Sequence, residues 1–514
     1  MSESEEAYFE QHEAREQSTE PGPQALRGGA ISVTMQYGNA VLQIVSAIAL
    51  ARLLTPEDFG LVAIITILTT FAPSLIDFGL GDALVQRIKI TRSQVSSLFW
   101  LSSGIGLSVA AVLAACSPLI AWIFREPRLE AIAIYSSPTF ILYALSTQHL
   151  ALLRRKMEFA AISKVVILGS LAGFATALLA AVCGYGYWAL VVRPIANALI
   201  VAIGAWCVCP WRPGFPRFDN EVASMVRFGQ HVVSFLFLNC IARVIDRIAL
   251  GFFYNVEVVG YFQNAVALYD NYFAALSPLH NVASAALSKL QLNPAALRQE
   301  YEAALSILSF FVMPAAAILS VTGQDVTTQL LGKKWQAAGL LLSILALRGI
   351  PQVVEWSQGW IHLAIGRADR WRNWGIVTFV IHLVAVLAGL PFGPTGIAAA
   401  LVIANFLFAI PSVSYAGRPI GIDAAFVVRA TGRQLIGAVL TAAGGWWAQV
   451  TMLDGLPGVV RIILSAGICI TIYLIIVVGL FRLVQPISVA VKVVQSRLSR
   501  DGRGNITPIS VAPP

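Results

Sequence analysis

From Gly28 to Phe481 the chain is a succession of long apolar stretches separated by short polar connections. A hydrocarbon core of about 30 Å takes roughly 20 helical residues to cross, and the stretches recur at about that length. Lipid offers the backbone no hydrogen-bond partner, so a crossing segment is a helix or a strand of a closed barrel. Barrel strands alternate over about ten residues, whereas these runs are continuous. The pattern predicts helices over 28–54, 59–87, 94–123, 129–153, 159–183, 187–209, 224–254, 258–289, 301–321, 336–363, 372–391, 395–416, 429–450 and 458–481. The expected fold class is an all-α polytopic membrane protein with about 14 transmembrane helices.

The helices repeat. Displacing the sequence by 200 positions lays Ala49-Leu50 on Ala249-Leu250, Thr55 on Asn255, Glu57 on Glu257 and Gly60 on Gly260. Displacing it by 210 lays Leu153 on Leu363, Gly186 on Gly396, Ala189 on Ala399 and Val192 on Val402. Both displacements put span n on span n+6, an even shift, so the halves are parallel, one of the recurring transporter designs. The expected organisation is an acidic tail over 1–27, two pseudo-symmetric six-helix lobes over 28–215 and 216–420, an extra helix hairpin over 421–482 and a basic tail over 483–514.

Polar residues within the spans fall on stripes. In span 1, Ser32, Gln36, Asn39, Gln43 and Ser46 follow one helical face. Asn239, Arg243 and Asp246 in span 7 are the 200-residue images of Asn39, Gln43 and Ser46. Thr66, Thr70 and Asp77 share a face of span 2, and Asp270 and Ser277 in span 8 are the images of the last two. Span 10 carries Arg348, Gln352, Glu355 and His362 at helical spacing. At 1.5 Å per residue from Lys334, Arg348 lies roughly 20 Å deep. Charge in lipid is costly unless it faces a bundle interior or a wet cavity. The stripes therefore predict a central cleft lined by Asn39, Gln43, Asp77, Asn239, Arg243, Asp246, Asp270, Arg348, Gln352 and Glu355. Uncharged stripe members could equally glue helices together, and Arg243 and Asp246, three apart, could pair with each other. Arg193, followed by Pro194, is shallower, where its side chain can snorkel to the headgroups.

Composition excludes a soluble protein: 57% of residues are hydrophobic and 12% charged, with a mean hydropathy of +0.74, against about 25% charged in soluble domains. The net charge of +8 is a topology signal rather than a nucleic-acid footprint. With Met1 inside, Arg87, Lys89 and Arg92, then Arg154, Arg155 and Lys156, then Arg367, Arg370 and Arg372 all fall in connections on the same side. Short Lys- and Arg-rich loops stay in the cytoplasm, which puts both termini there. Met1 to Arg27 carry seven Glu against two Arg and have no signal-peptide pattern. Cysteines are scattered without CxxC spacing, so neither a metal site nor a disulfide framework is expected. No P-loop and no catalytic constellation is present, so no cofactor and no enzyme activity are expected.

Several motifs also look familiar: Leu53-Leu54-Thr55-Pro56-Glu57-Asp58-Phe59-Gly60-Leu61, Asp77-Phe78-Gly79-Leu80-Gly81 through Leu84-Val85-Gln86-Arg87, Val259-Gly260-Tyr261-Phe262 after Asp246-Arg247, and Leu331-Gly332-Lys333-Lys334-Trp335. Together they resemble the bacterial polysaccharide transport (Wzx-type exopolysaccharide and lipopolysaccharide) flippases of the multidrug/oligosaccharidyl-lipid/polysaccharide exporter superfamily, over about Arg27 to Arg482. The resemblance implies two six-helix lobes around a cleft in the bacterial inner membrane, and a polyprenyl-pyrophosphate-linked oligosaccharide moved outward by alternating access. A polysaccharide polymerase or export complex as partner, and H+ or Na+ as coupling ion, stand open. Guanidinium binds phosphate in bidentate fashion, which suits Arg243 and Arg348. Two rival readings remain: a cation-coupled multidrug exporter of the same superfamily, using Asp246, Asp270 and Glu355, and a membrane glycosyltransferase or polymerase acting on the same glycan.

Overall fold

The structure is a computed structural model that describes residues 23–69, 76, 77, 81, 84, 90–217, 244–288, 290 and 293–483. These residues contain no strand. In chain order the helices are α1 (Pro23–Leu53), α2 (Pro56–Thr69), α3 (Arg92–Ala115), α4 (Ser117–Phe124), α5 (Arg128–Ser136), α6 (Pro138–Arg155), α7 (Phe159–Val182) and α8 (Trp188–Val208). There follow α9 (Ile245–Phe253), α10 (Val256–Ser288), α11 (Pro294–Leu331), α12 (Gln336–Leu347), α13 (Gly349–Ala364), α14 (Ala368–Gly389), α15 (Gly393–Gly417), α16 (Ala424–Thr451) and α17 (Gly458–Leu474). Among the described residues seven helical segments are long and apolar enough to cross a membrane, or eight if the bent pair α12–α13 is one span.

Local signals set the ends. Thr91 and Gln94 close a capping box on α3, each side chain accepting from the other's backbone N–H. Thr55 and Asp58 do the same before α2, at 2.9 and 3.2 Å. At the repeat image, Asn255 Oδ1 accepts from Val258 N at 3.0 Å, so both halves start this helix with a capped turn. Three predicted spans are broken. Span 3 divides at Cys116 and span 4 at Ser137, each with a proline opening the next helix. Span 10, expected to be continuous, divides at Arg348.

The chain forms two compact units: residues 1–267, 327–341 and 375–400, and residues 268–326, 342–374 and 401–514. In the first, α3, α6, α7 and α8 pack around Val95, Leu98, Phe99, Leu152, Cys209 and Trp211. In the second, α16 and α17 form the hairpin outside the repeat, and α11 anchors it at two levels. Asp325, 4% exposed, accepts from Arg461 through two guanidinium nitrogens, Nε at 2.8 Å, and from Gln449 Nε2 at 2.6 Å. Further along, Gln434 Nε2 donates to Ser306 Oγ at 2.9 Å. Between these, Gly445 lets the backbone of α16 approach the Cys469 sulfur and Val321.

Candidate functional site

The second unit holds a cluster built on a broken helix. α12 and α13 meet at Arg348 with a bend of 51°. Gly349 opens α13 flush against α10 and α11, where an added Cβ would lie 2.9 Å from Ala316 Cβ and 3.3 Å from the Phe273 ring. Pro351, in the first turn, has no N–H to satisfy there. The break delivers Arg348 with its Nε buried and without a hydrogen-bond acceptor among the described residues. Its charge acts on Glu355 and Tyr269. The Tyr269 hydroxyl donates to Gln352 Oε1, and Glu355 Oε2 accepts from Asn405 Nδ2 at 2.7 Å. Asp270 is exposed beside Tyr269 on α10. The predicted residues Asp270, Arg348, Gln352 and Glu355 are thus neighbours in one unit, and Tyr269 and Asn405, unmarked in the sequence reading, join them. A guanidinium nitrogen lacking an acceptor beside amides and a phenol can take an oxyanion and give neutral contacts to hydroxyl groups.

The first unit holds other predicted residues in different company. Gln43 Oε1 accepts from Arg193 Nη2, and Gln43 Nε2 reaches Ser170 Oγ at 3.4 Å. Arg193 therefore turns to the polar stripe of α1 instead of snorkelling outward, because a glutamine carbonyl stands within its reach. The Asn39 Oδ1 atom is buried without a partner among the described residues. Asp77 accepts from Gly81 N at 3.0 Å, and the Arg154 guanidinium comes to the same glycine. Asp246, 4% exposed, bonds Arg247 through Nε at 3.2 Å, and Arg247 reaches on to Gln263 Oε1 at 2.8 Å. Asn239 and Arg243 lie outside the described residues.

The same unit also contains a closure between images of the repeat. Where α2 crosses α10, Gly60 and Gly260 face each other. A Cβ on Gly60 would lie 1.6 Å from Val256 O, and one on Gly260 would lie 1.9 Å from Pro56 O. The relation is reciprocal, since Val256 is the 200-residue image of Pro56. Beside it, Lys334 Nζ donates to the carbonyls of Arg52 and Leu54 at 2.9 and 2.6 Å, and Trp335 Nε1 to that of Ala51 at 2.8 Å. Arg52 returns two bonds, to Leu330 O at 2.8 Å and Gln329 O at 2.7 Å. Phe59 and Trp335 pack edge to face at 5.2 Å. This latch joins the end of α1 to the connection between α11 and α12.

Residues 49–339 match the family model described as polysaccharide biosynthesis protein, a stretch that includes both glycines and the whole latch. The chain belongs to this family. Among its relatives, the teichuronic acid biosynthesis protein TuaB of Bacillus subtilis (strain 168) is 26% identical over 69% of this chain and 74% of its own length. The lipopolysaccharide biosynthesis protein WzxC of Escherichia coli (strain K12) is 24% identical over 74% of this chain and 78% of its own. A solved structure of the lipid II flippase MurJ in an inward closed conformation superposes with a TM-score of 0.66 at 16% identity, covering 88% of this chain and 99% of that one. Its fold is that of this polysaccharide biosynthesis family member.

Proposed function

We propose that the protein is a flippase that carries a polyprenyl-pyrophosphate-linked oligosaccharide, the repeat unit of an exopolysaccharide or lipopolysaccharide, across the bacterial inner membrane by alternating access. In this reading about fourteen spans form two six-helix lobes around a central cleft, with the hairpin appended and both termini in the cytoplasm. The observation that carries it is Arg348: a cation on a broken span, its Nε buried and lacking an acceptor among the described residues. Broken helices near mid-membrane are where transporters bind charged substrates. Arg348 meets the pyrophosphate, while Gln352, Asn405 and Tyr269 give neutral hydrogen bonds to sugar hydroxyls. Arg193 with Gln43 supplies a cationic site in the first unit, and Asn39, Asn239 and Arg243 belong to the cleft lining. A polymerase or export complex and an H+ or Na+ gradient belong to the proposal as partners. The latch then closes the outer end of the cleft and must open once per cycle.

The family to which the chain belongs, and the fold it shares with a lipid II flippase, support this reading. Its test is deletion of the gene in its own host. Surface polysaccharide stops while the complete lipid-linked repeat unit accumulates on the inner leaflet. Accumulation of an incomplete glycan instead assigns the protein to glycosyl transfer.

A further inference from the structure

The repeat makes two equivalent corners beside the glycine crossing, and they differ in what fills them. At the first corner the connection between α11 and α12 meets the end of α1, and Lys334 and Trp335 close the gap onto Ala51, Arg52 and Leu54. At the second, the connection between α4 and α5, the image of the former, meets the end of α9, whose Gly251 and Phe252 are the images of Ala51 and Arg52. Phe124 packs on Gly251, within 2.8 Å of where a Cβ would stand. Among the described residues no lysine crosses here. A pocket of about 600 Å³ remains, lined by Trp122, Arg125, Glu130 and Phe252 together with Ala121, Ile123 and Pro127.

The lining specifies an occupant. Trp122 is 76% exposed and Phe252 56%, an apolar wall of the kind found at the membrane interface. Arg125, held with φ at +54° just past the last residue of α4, and Glu130 have no side-chain partner among the described residues. A cation and a carboxylate in one interfacial pocket complement a zwitterion. The ammonium of Lys334 at the first corner names the missing group at the second: a primary amine that can donate to oxygen.

We infer that the pocket binds the headgroup of phosphatidylethanolamine, the phosphate on Arg125 and the ammonium on Glu130, completing at the second corner the closure that Lys334 makes at the first. The membrane topology proposed above decides only which leaflet supplies the lipid; binding itself is measured without transport. The purified, delipidated full-length protein is titrated with phosphatidylethanolamine, phosphatidylglycerol and phosphatidylcholine and read by native mass spectrometry. Phosphatidylethanolamine is expected to bind about fivefold better than either, the ratio an exposed ion pair of about 1 kcal/mol gives. Glu130→Gln erases the preference, and Arg125→Ala weakens binding of all three lipids; both side chains are exposed, so neither variant disturbs the fold. Equal binding of phosphatidylglycerol, or a variant that keeps the wild-type preference, overturns the assignment. So does a variant that loses thermal stability in the absence of lipid, since that makes the pair structural.

Discussion

Replacing Gly60 by alanine holds the proposed outer gate open. Its Cβ would stand 1.6 Å from the Val256 carbonyl oxygen, whereas ordinary contact begins near 3.4 Å. The atom in the way is backbone, which cannot swing aside, so α2 and α10 separate by roughly 1.5–2 Å, well beyond the few tenths of an ångström a packed contact tolerates. That movement pulls on the latch, where Lys334 and Arg52 make four charge-assisted bonds to carbonyls between 2.6 and 2.9 Å. Discounted for exposure to about 1 kcal/mol each, the loss of only two makes the closed gate about thirtyfold rarer. Export falls accordingly, because alternation needs closure. The gate is followed directly with Asn39→Cys, on the polar stripe of α1, labelled from outside by a membrane-impermeant thiol reagent and quantified on its own peptide. Gly60→Ala raises the labelling rate. Gly260→Ala does the same, and the double variant adds little, because both glycines serve one contact. Wild-type labelling and export in Gly60→Ala, or full additivity of the two changes, would refute the reasoning.

Arg348→Ala removes a charge-assisted contact of about 1.5–3 kcal/mol and lowers export ten- to a hundredfold at normal protein abundance. Arg348→Lys rescues in part because the fork is lost, and Arg348→Ala with Glu355→Gln restores no export, unless the arginine serves only to balance Glu355. Arg461→Ala leaves the buried Asp325 carboxylate short of its partner and costs about 3–5 kcal/mol, read as lowered membrane abundance and melting temperature; Asp325→Leu with Arg461→Met recovers much of it. Reporter fusions after Lys156 and after Arg372 signal cytoplasm and one after Leu54 signals the outside, and reversed signals overturn both the topology and the direction of export.

Apolar length made most helices legible in the sequence, since it is set by the bilayer and not by tertiary detail. The break at Arg348 was hidden for the same reason: hydrophobicity reads straight through a kink. Gly349 and Pro351 flank that break and were the available signal. The contact of Arg193 is not legible from depth along its own helix, because its partner Gln43 lies 150 positions away and only packing brings them together. Asp77 was read on the cleft face of span 2, and Arg154 as a flank of positive charge; their meeting at Gly81 needs the fold. Asp246 could pair with Arg243 by helical spacing, but Arg243 lies outside the described residues; among those described, Asp246 bonds its neighbour Arg247.

The repeat accounts for a feature that neither half explains alone. In the proposed two-lobe arrangement, images of one residue touch beside the axis that relates the lobes, and there a side chain on one is met by a side chain on the other. Glycine at both places removes that doubled obstruction, which is why Gly60 and Gly260 approach through their backbones. Symmetry of this kind permits approach but does not hold it, because glycine offers little surface to bury. The hold comes from what breaks the symmetry, namely Lys334 and Trp335, which bond across one corner and have no counterpart in the pocket at the other. A gate must both close and release. In the proposed gate, one corner latched by side chains and the other left to the inferred lipid headgroup give a closed state whose stability depends on a few hydrogen bonds rather than on a large buried face.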